Sequence, residues 1–326
     1  MSMAKRARDS REGGIERAAI IGGGVIGASW AALFLANGIA VVVNDPDSEI
    51  AAKVIAVIEA AKPALSGLGY QTEDLTRLLA FEADLTVAVA NADLVQENGP
   101  ERPEVKQDLW RRIEEAAPRT ALLLSSSSGL PASVQNLNMR EPGRLMVGHP
   151  FNPPHLMPLV EVVPSPQTDP GEVDRAMAFY RSVGKVPLEI RKEVPGFVAN
   201  RLQAALLKES VYLVREGVIT MRDLDDVVTS SIGIRWATNG PFLSFHLGGG
   251  PGGLAHFIEH IGKGGIEALW ASFAEVAFDD TTTRLLVDQA QLYYGSQPMD
   301  ALAEDRDQKE VAAINAIAAA AADRAL

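Results

Sequence analysis

The chain has 326 residues, a formal net charge of −12 and a hydrophobic content of 47%. This length suits two domains or one large one, and the acidic balance argues against nucleic acid or an anionic membrane surface as a partner, because no basic stripe is present to release counterions. There is no cysteine, which excludes disulfides, thiolate catalysis and cysteine-based zinc sites and fits a cytoplasmic protein.

Residues 1–14 are polar and basic, and no apolar run follows them within this stretch. They therefore do not resemble a secretory signal. We predict a disordered tail there, and an arm that contacts another subunit is the alternative. No run of about 18 apolar residues occurs in the sequence, so we predict no membrane span.

A buried strand, a glycine-rich turn and a helix open the folded part of the chain. Residues 18–21 are fully apolar, as a buried parallel strand should be, and the next six residues fit G-x-G-x-x-G. Gly22 permits a tight turn, Gly24 lets a pyrophosphate approach the backbone, and Gly27 lets helix and strand pack closely. The predicted pyrophosphate-binding residues are Gly22, Gly24, Val25, Ile26 and Gly27.

A second predicted strand, residues 39–43, ends in Asn44 and Asp45. Asp45 lies 23 positions after Gly22, which suits an acid that accepts hydrogen bonds from the adenosine ribose. Its charge would repel a 2′-phosphate. The sequence therefore predicts dinucleotide binding, with NAD favoured over NADP.

Helical and strand patterns continue to alternate as far as residue 192. The predicted helices cover residues 48–62, 103–116 and 171–183. The predicted strands cover 85–89 continuing through a turn to 93–95, 121–124, the segment 144–148 that leads to His149, the run around Glu161, and an edge strand at 186–190. This alternation predicts an α/β fold with a doubly wound, mostly parallel sheet.

Polar side chains follow the carboxyl ends of two predicted strands, where ligands bind in doubly wound sheets. One such loop is residues 97–101, which ends in Glu101. The other is the serine run 125–128, whose hydroxyls either face a ligand or form a turn and helix cap. Pro131 supports the second interpretation for some of them.

His149 precedes a proline-rich bend, and Glu161 follows twelve positions later inside a β-branched run. A carboxylate in such a run is costly to bury unless it is paired, and the histidine is the best candidate partner. A carboxylate that holds one imidazole nitrogen fixes the tautomer and makes the other nitrogen a better base for an alcohol proton. A structural His–Glu pair is the alternative from these residues alone.

The composition changes at residues 193–196, and the pattern beyond them is helical. We therefore predict a first domain at 15–192 and a helical domain at 193–326. An apolar face runs from Phe197 to Val214 in a long helix. Asn200 projects from its first turn, either toward the domain junction or as a satisfied structural amide.

Arg235 in the helical half either holds a carboxylate bidentately or forms a salt bridge between domains or subunits. The aromatic residues Trp236, Phe242 and Phe245 either line a pocket that binds a cationic group by cation–π contact or pack in the core. Residues 256–260 fit the H-x-x-E-H spacing of zinc peptidases, but no third ligand lies nearby in the sequence. We predict an amphipathic surface helix and no metal there.

With these motifs in hand, the chain resembles the 3-hydroxyacyl-CoA dehydrogenase superfamily over residues 16–260. The matching motifs are the Gly22 loop with Asp45, Glu101 and Lys106, Ser127-Ser128, the bend from His149 to Pro153, Glu161, and Pro195-Gly196-Phe197 with Asn200-Arg201. The resemblance implies a Rossmann-like domain, an all-helical C-terminal domain that forms a homodimer, and a site between the two.

The same resemblance implies roles for individual residues. His149 and Glu161 correspond to the catalytic pair, and Ser127 and Asn200 to residues that hydrogen-bond the substrate. Residues near the nicotinamide would be Glu101, Lys106, Asn152 and Ser127.

The chain departs from the acyl-CoA members in ways that favour a smaller substrate. The helix after Asp45, basic in those enzymes, carries only Lys53 and Lys62, and their lysine- and glycine-rich segment near the C-terminus is missing. Arg235-Trp236 replaces an aromatic-Pro pair. These features are similar to the lambda-crystallin / L-gulonate 3-dehydrogenase branch, and L-carnitine dehydrogenases share part of the pattern.

We therefore predict an NAD-dependent enzyme that oxidises the 3-hydroxyl of a small free 3-hydroxy carboxylate, L-gulonate-like or carnitine-like, to the 3-keto acid. Arg235 would then hold the substrate carboxylate. An L-3-hydroxyacyl-CoA dehydrogenase is the first alternative. A structural or NAD-binding protein without activity on the same scaffold is the second.

Overall fold

The computed structural model describes residues 14–322. Within this range the chain forms two compact units, one made of the residues up to Asn200 together with those from Asp305 onward, the other of Arg201–Glu304. The predicted disordered tail lies, apart from Gly14, outside the described residues.

The first unit is built on one eight-stranded sheet. Its strands are β1 Arg17–Ile21, β2 Ala40–Asn44, β3 Leu79–Phe81, β4 Leu94–Glu97, β5 Leu122–Ser125, β6 Leu145–Pro150, β7 Leu159–Pro164 and β8 Val186–Glu189. Their order across the sheet is β3-β2-β1-β4-β5-β6-β7-β8. The predicted α/β fold with a mostly parallel sheet is confirmed.

The strand directions bring the predicted site residues to one edge of the sheet. β1 pairs in parallel with both β2 and β4, so the chain reverses its winding direction beside the end of β1, which is where such sheets bind ligands. β6 is parallel to β5, whereas β7 is antiparallel to β6. His149, at the end of β6, and Glu161, near the start of β7, therefore lie at the same edge.

Helices cover both faces of the sheet. They are α1 Val25–Ala36, α2 Ile50–Gly67, α3 Leu85–Val89, α4 Pro103–Ala116, α5 Ala132–Gln135 and α6 Pro170–Ser182, with short 3₁₀ turns at Leu75–Leu78 and Pro142–Arg144. Because alternate side chains of a strand point to opposite faces, Ile20 packs in one core with Trp30, and Ile21 packs in the other with Trp110.

The segment from Leu85 to Val89, predicted as an extended run, is the short helix α3. The β-branched residues favoured a strand, but the Asp84 side chain accepts hydrogen bonds from the backbone N–H groups of Thr86 and Val87 and so begins a helix. The edge strand β3 lies just before it, in residues that the pattern did not identify. The prediction for this segment was wrong because the capping residue outweighs β-propensity.

The second unit is helical. It begins within α7 Ala199–Arg215. The elements that follow are α8 Met221–Ser230, α9 Ile232–Gly248, a 3₁₀ turn Gly250–Gly252, α10 Gly253–Phe257, a π-helical segment Ile258–Ile266, α11 Glu267–Ser272 and α12 Asp280–Tyr293. Thr220 caps α8, because its side-chain oxygen accepts a hydrogen bond from Asp223 N. No helix among residues 14–322 combines the length and apolar character that a bilayer crossing requires.

The last helix, α13 Met299–Ala322, returns to the first unit. Val311 and Ile314 pack against the core of that unit, and Asn315 Nδ2 donates a hydrogen bond to Gly67 O at the end of α2. A Cβ atom on Gly67 would lie 2.8 Å from Val311 Cγ1. The absence of a side chain at Gly67 therefore allows α13 to pack closely against the first unit.

Candidate active site

The glycine-rich turn between β1 and α1 has the backbone geometry that the sequence predicts. Gly22 has φ +93°, in the region that favours glycine, and a Cβ atom on Gly27 would lie 1.9 Å from Gly22 O. A Cβ atom on Gly24, the N-cap of α1, would meet no atom within 4 Å. The turn is thus tight where the chain packs on itself and open at the helix N-terminus, which fits a dinucleotide pyrophosphate.

Asp45 follows β2 beside this turn. Its Oδ2 accepts a hydrogen bond from Gly23 N at 2.7 Å, and its Oδ1 accepts one from Asp47 N at 2.9 Å. These bonds fix the carboxylate next to the glycine loop while leaving it part-buried. An adenosine ribose bound at the loop would meet a fixed negative charge.

His149 and Glu161 are directly opposite each other in the antiparallel pair of β6 and β7. His149 Nδ1 lies 2.8 Å from Glu161 Oε2, and both side chains are buried. Because the carboxylate only accepts hydrogen bonds when ionised, Nδ1 carries the proton and Nε2 is the nitrogen with a free lone pair. This geometry supports the predicted pair and gives the imidazole the tautomer of a general base.

The second oxygen of Glu161 binds the start of α7. Oε1 accepts hydrogen bonds from Val198 N at 2.9 Å and Ala199 N at 3.0 Å, where a negative charge also meets the positive end of the helix dipole. Burial opposes this charge, but the hydrogen bonds from His149, Ala199 and Val198 outweigh it and hold the pKa of the Glu161 carboxyl below its ordinary value. Glu161 is therefore ionised at neutral pH, beside the His149 imidazole.

The turn before α7 determines where those two amides point. Phe197, predicted inside the long helix, precedes it with φ +51°, and Gly196 has φ +73°. A positive φ at a residue with a side chain costs about 1–2 kcal/mol, which is offset here because the Phe197 ring is fully buried, 5.5 Å from the His149 ring. The helical prediction for Phe197 was wrong, because the Pro-Gly-Phe turn orients the next two N–H groups toward Glu161.

Ser127 and Glu101 meet at the carboxyl ends of β4 and β5. Ser127 Oγ donates to Glu101 Oε2 at 2.8 Å, and Ser128 N donates to Glu101 Oε1 at 2.9 Å. Ser127 Oγ also accepts from Leu130 N at 2.8 Å, so it forms part of the turn as well. The two interpretations of this serine are therefore compatible, and its contact with a ligand stays a prediction.

Lys106 lies beneath this edge of the sheet. It is 1% exposed, and its Nζ donates to both oxygens of Glu97, at 2.7 and 2.9 Å, and to Gly99 O. Ser125 Oγ donates to the same carboxylate. Glu97 was not among the predicted site residues, although a carboxylate at the end of an apolar strand is a detectable signal. These contacts fix the loop that carries Glu101, and a direct contact between Lys106 and the cofactor stays a prediction.

The remaining predicted site residues lie at three places. Asn152 is exposed in the loop after β6, and Asn200 is in the first turn of α7, directly after the amide that binds Glu161. Arg235 is exposed on α9 of the helical unit, and its side chain makes no ion pair among the described residues. In the same unit the rings of Phe245 and Phe257 lie 4.8 Å apart, whereas Phe242 is 78% exposed.

Family models match both parts of the chain. The NAD-binding domain of 3-hydroxyacyl-CoA dehydrogenase matches residues 17–194, and the C-terminal domain of 3-hydroxyacyl-CoA dehydrogenase matches residues 196–279. The chain belongs to the 3-hydroxyacyl-CoA dehydrogenase family.

Individual members of this family are similar to the chain over most of its length. An L-carnitine dehydrogenase from Streptomyces griseus is 45% identical over 76% of this chain and 74% of its own length. Another, from Burkholderia mallei, is 40% identical over 94% of this chain and 95% of its own. A protein from Gibberella moniliformis named 3-hydroxyacyl-CoA dehydrogenase is 41% identical over 90% and 92%.

A solved structure supports the same assignment. A 5-formyl-3-hydroxy-2-methylpyridine 4-carboxylic acid 5-dehydrogenase, described as an NAD⁺-dependent dismutase, superposes with a TM-score of 0.79 and 30% identity over 93% of this chain and 99% of that one. The protein is an NAD-dependent dehydrogenase of the 3-hydroxyacyl-CoA dehydrogenase family.

The position of Asp45 leads to a prediction about cofactor choice. We expect kcat/KM with NAD⁺ to exceed that with NADP⁺ by at least about tenfold, because an unpaired 2′-phosphate beside a fixed carboxylate costs at least ~1.4 kcal/mol. Steady-state kinetics with both cofactors measure the ratio. Asp45→Ser should bring the ratio of the two kcat/KM values closer to one. Equal kcat/KM values for NAD⁺ and NADP⁺ in the parent enzyme would contradict the role of Asp45.

The lowered pKa of Glu161 leads to a prediction about stability. A group whose folded pKa is depressed stabilises the protein above its unfolded pKa, and this contribution is lost as pH falls through the folded value. The Tm gap between the parent and Glu161→Gln should therefore be full at neutral pH and should close as pH falls below about 4.5. Glu59→Gln, which removes an exposed carboxylate, is the control, and its Tm should differ little from that of the parent at every pH. A Tm difference for Glu161→Gln that persists in acid would contradict a stabilising role of the Glu161 charge.

Proposed function

We propose that this enzyme oxidises the 3-hydroxyl of a small free 3-hydroxy carboxylate, with L-carnitine as the first candidate. The observation that carries the proposal is the 40% identity to an L-carnitine dehydrogenase over 94% of the chain. The solved relative with 30% identity also has a free carboxylic acid in its name. Both relatives thus favour a substrate that presents a carboxylate rather than a thioester.

Side chains of the protein accept the proton of the substrate hydroxyl and position that hydroxyl. Bound NAD⁺ supplies the hydride acceptor. His149 takes the hydroxyl proton on Nε2, and Glu161, held by two backbone amides, stabilises the imidazolium that forms. Ser127 and Asn200 position the hydroxyl. Asn152 and Glu101 act on the nicotinamide side, and Lys106 acts there either directly or by fixing the loop that carries Glu101.

The charges on α2 support a free acid over coenzyme A. The helix has two lysines, and both are engaged, Lys53 with Asp47 at 2.5 Å and Lys62 with Glu59 at 2.6 Å. By resemblance, acyl-CoA members use a basic helix here. Arg235, by contrast, makes no ion pair within the described residues, so its guanidinium is available to a carboxylate.

A CoA thioester is the second candidate, because a relative with 41% identity is named 3-hydroxyacyl-CoA dehydrogenase. A panel of L-carnitine, L-gulonate, L-3-hydroxybutyrate and 3-hydroxybutyryl-CoA with NAD⁺, followed by NADH absorbance, separates the two. We expect L-carnitine to give the highest kcat/KM. A thioester preferred over every free acid would overturn the proposal, and no turnover of any of the four would favour a protein without this activity.

We also propose that the enzyme is a homodimer through the helical unit. In that unit Val211 and Val214 are buried, but many larger apolar side chains are exposed, and extensive exposed apolar surface favours an interaction with another chain. The exposed residues include Ile234, Phe242, Leu247, Trp270, Phe278 and Leu292. Light scattering after size-exclusion chromatography should give twice the chain mass of 34.8 kDa, and a monomer at micromolar concentration would contradict the proposal.

A further inference from the structure

The loop between β6 and β7, residues 151–158, directly follows His149 and carries Asn152. The pairing of β6 with β7 ends at Pro150 and Val160, and β8 reaches only the last loop residue, through the hydrogen bond from Val186 N to Pro158 O, so the loop has no strand partner over residues 151–157. Its position therefore depends on side chains from neighbouring elements.

Helix α1, which begins at the glycine-rich turn, holds the middle of this loop. Ser29 Oγ accepts a hydrogen bond from His155 N at 2.9 Å and lies 2.8 Å from His155 Nδ1. Both residues are buried. Burial, and secondly the neighbouring Lys185, lower the pKa of His155 to about 4, so the ring is neutral at physiological pH, and Nδ1 can accept the serine proton.

Lys185, just before β8, holds the loop on either side of His155. Its Nζ donates to Pro154 O and, at 2.6 Å, to Met157 O. The same Nζ lies 5.4 Å from the ring centroid of Trp30, the neighbour of Ser29 on α1. A buried lysine is costly, and these carbonyls with the indole face are the contacts that compensate it.

We propose that Ser29, His155 and Lys185 are positioning residues that fix the loop 151–158, and with it Asn152, relative to the helix that receives the cofactor. The inference rests on the proposed roles of His149 and Asn152. If the contact that Asn152 makes with the nicotinamide side shifts by about 1 Å, the rate falls by up to roughly 10²-fold. The three residues therefore influence the rate of hydride transfer without touching the reacting atoms.

The test compares two substitutions at one position. In His155→Asn the amide oxygen can take the place of Nδ1 and accept the Ser29 proton, whereas His155→Leu offers no acceptor. We expect His155→Leu and Ser29→Ala each to lower kcat by about 10- to 100-fold, with the NADH Kd measured by fluorescence close to that of the parent. His155→Asn should recover most of the loss, and the Ser29→Ala/His155→Leu double variant should lose little more than either single variant.

Thr168→Val is the control for stability alone. Thr168 Oγ1 donates to Leu145 O at 3.0 Å, at the opposite end of β6 from His149, so this variant should lower Tm and leave kcat unchanged. If His155→Leu lowers Tm in the same way but keeps full kcat, the positioning role is wrong. Should His155→Leu fail to fold, Ser29→Ala, which removes a single hydroxyl, decides the question by the same measurements.

His149→Ala distinguishes failure of this inference from failure of the proposed function. Loss of activity in His149→Ala with full kcat in His155→Leu and Ser29→Ala overturns only the positioning role. Full activity in His149→Ala overturns the proposed mechanism itself. Equal kcat losses in His155→Asn and His155→Leu would also contradict the inference, because the hydrogen-bond acceptor would then have no effect.

Discussion

His149→Ala is expected to lower kcat by about 10²–10⁴, the usual contribution of a general base. The reason is geometric: Nδ1 is held at 2.8 Å by Glu161, which leaves Nε2 as the proton acceptor. Glu161→Gln should lower kcat as well and shift the acidic limb of the pH profile, since an amide cannot stabilise the imidazolium as a carboxylate does. NADH affinity should change little in either variant.

His260→Ala is the matched control for this experiment. His260 is exposed on the π-helical segment, where its Nδ1 lies 3.1 Å from His256 O, and it belongs to the H-x-x-E-H match. Full activity in this variant is expected. Near-full activity of His149→Ala would show that the mechanism is wrong, and a loss in His260→Ala would reopen the metal interpretation.

Arg235→Met is expected to lower kcat/KM on the best free 3-hydroxy acid by roughly 30-fold to several thousand-fold. The loss of a charge-assisted pair between protein and substrate that is desolvated on binding is worth about 2–5 kcal/mol, and ~1.4 kcal/mol corresponds to a factor of ten. Arg235→Lys should restore only part of the activity, because a point charge does not replace the planar fork of the guanidinium. NADH binding should hardly change.

Arg284→Met is the control for Arg235, because Arg284 is another exposed arginine of the helical unit, on α12. It should leave kcat/KM unaltered. Unchanged kinetics of Arg235→Met on a free acid would contradict the carboxylate role and would favour a salt bridge between subunits, which the oligomeric state of the same variant would then reveal.

Local physical rules explain why part of this fold and site is predictable from the sequence. Gly22 is required because its backbone φ is positive, and Gly27 is required because a Cβ atom there would lie 1.9 Å from Gly22 O. The glycine pattern therefore determines the geometry of the turn. The helix at residues 103–116 begins with a proline, which is favourable in a first turn. His149 and Glu161 are paired because a buried carboxylate needs a partner.

Other features depend on contacts that are distant in the sequence. Lys106, which the resemblance places near the nicotinamide, is buried against Glu97, a partner that the sequence pattern does not reveal. His155 and Lys185 carry no motif, and their roles become visible only when the loop between β6 and β7 is packed against α1. The turn at Phe197 departs from the helical pattern because two backbone N–H groups bind Glu161. Sequence periodicity does not encode such long-range hydrogen bonds.

Transfer of deuterium from the substrate to NAD⁺ tests both the oxidation of L-carnitine and the role of His149. L-Carnitine carrying deuterium on the carbon that bears the hydroxyl is incubated with the enzyme and NAD⁺, and the reduced cofactor is analysed by mass spectrometry. We expect NADH that carries the deuterium, formed rapidly by the parent enzyme and by His260→Ala and far more slowly by His149→Ala. Unlabelled NADH, or labelled NADH formed as fast by His149→Ala as by the parent, would contradict it.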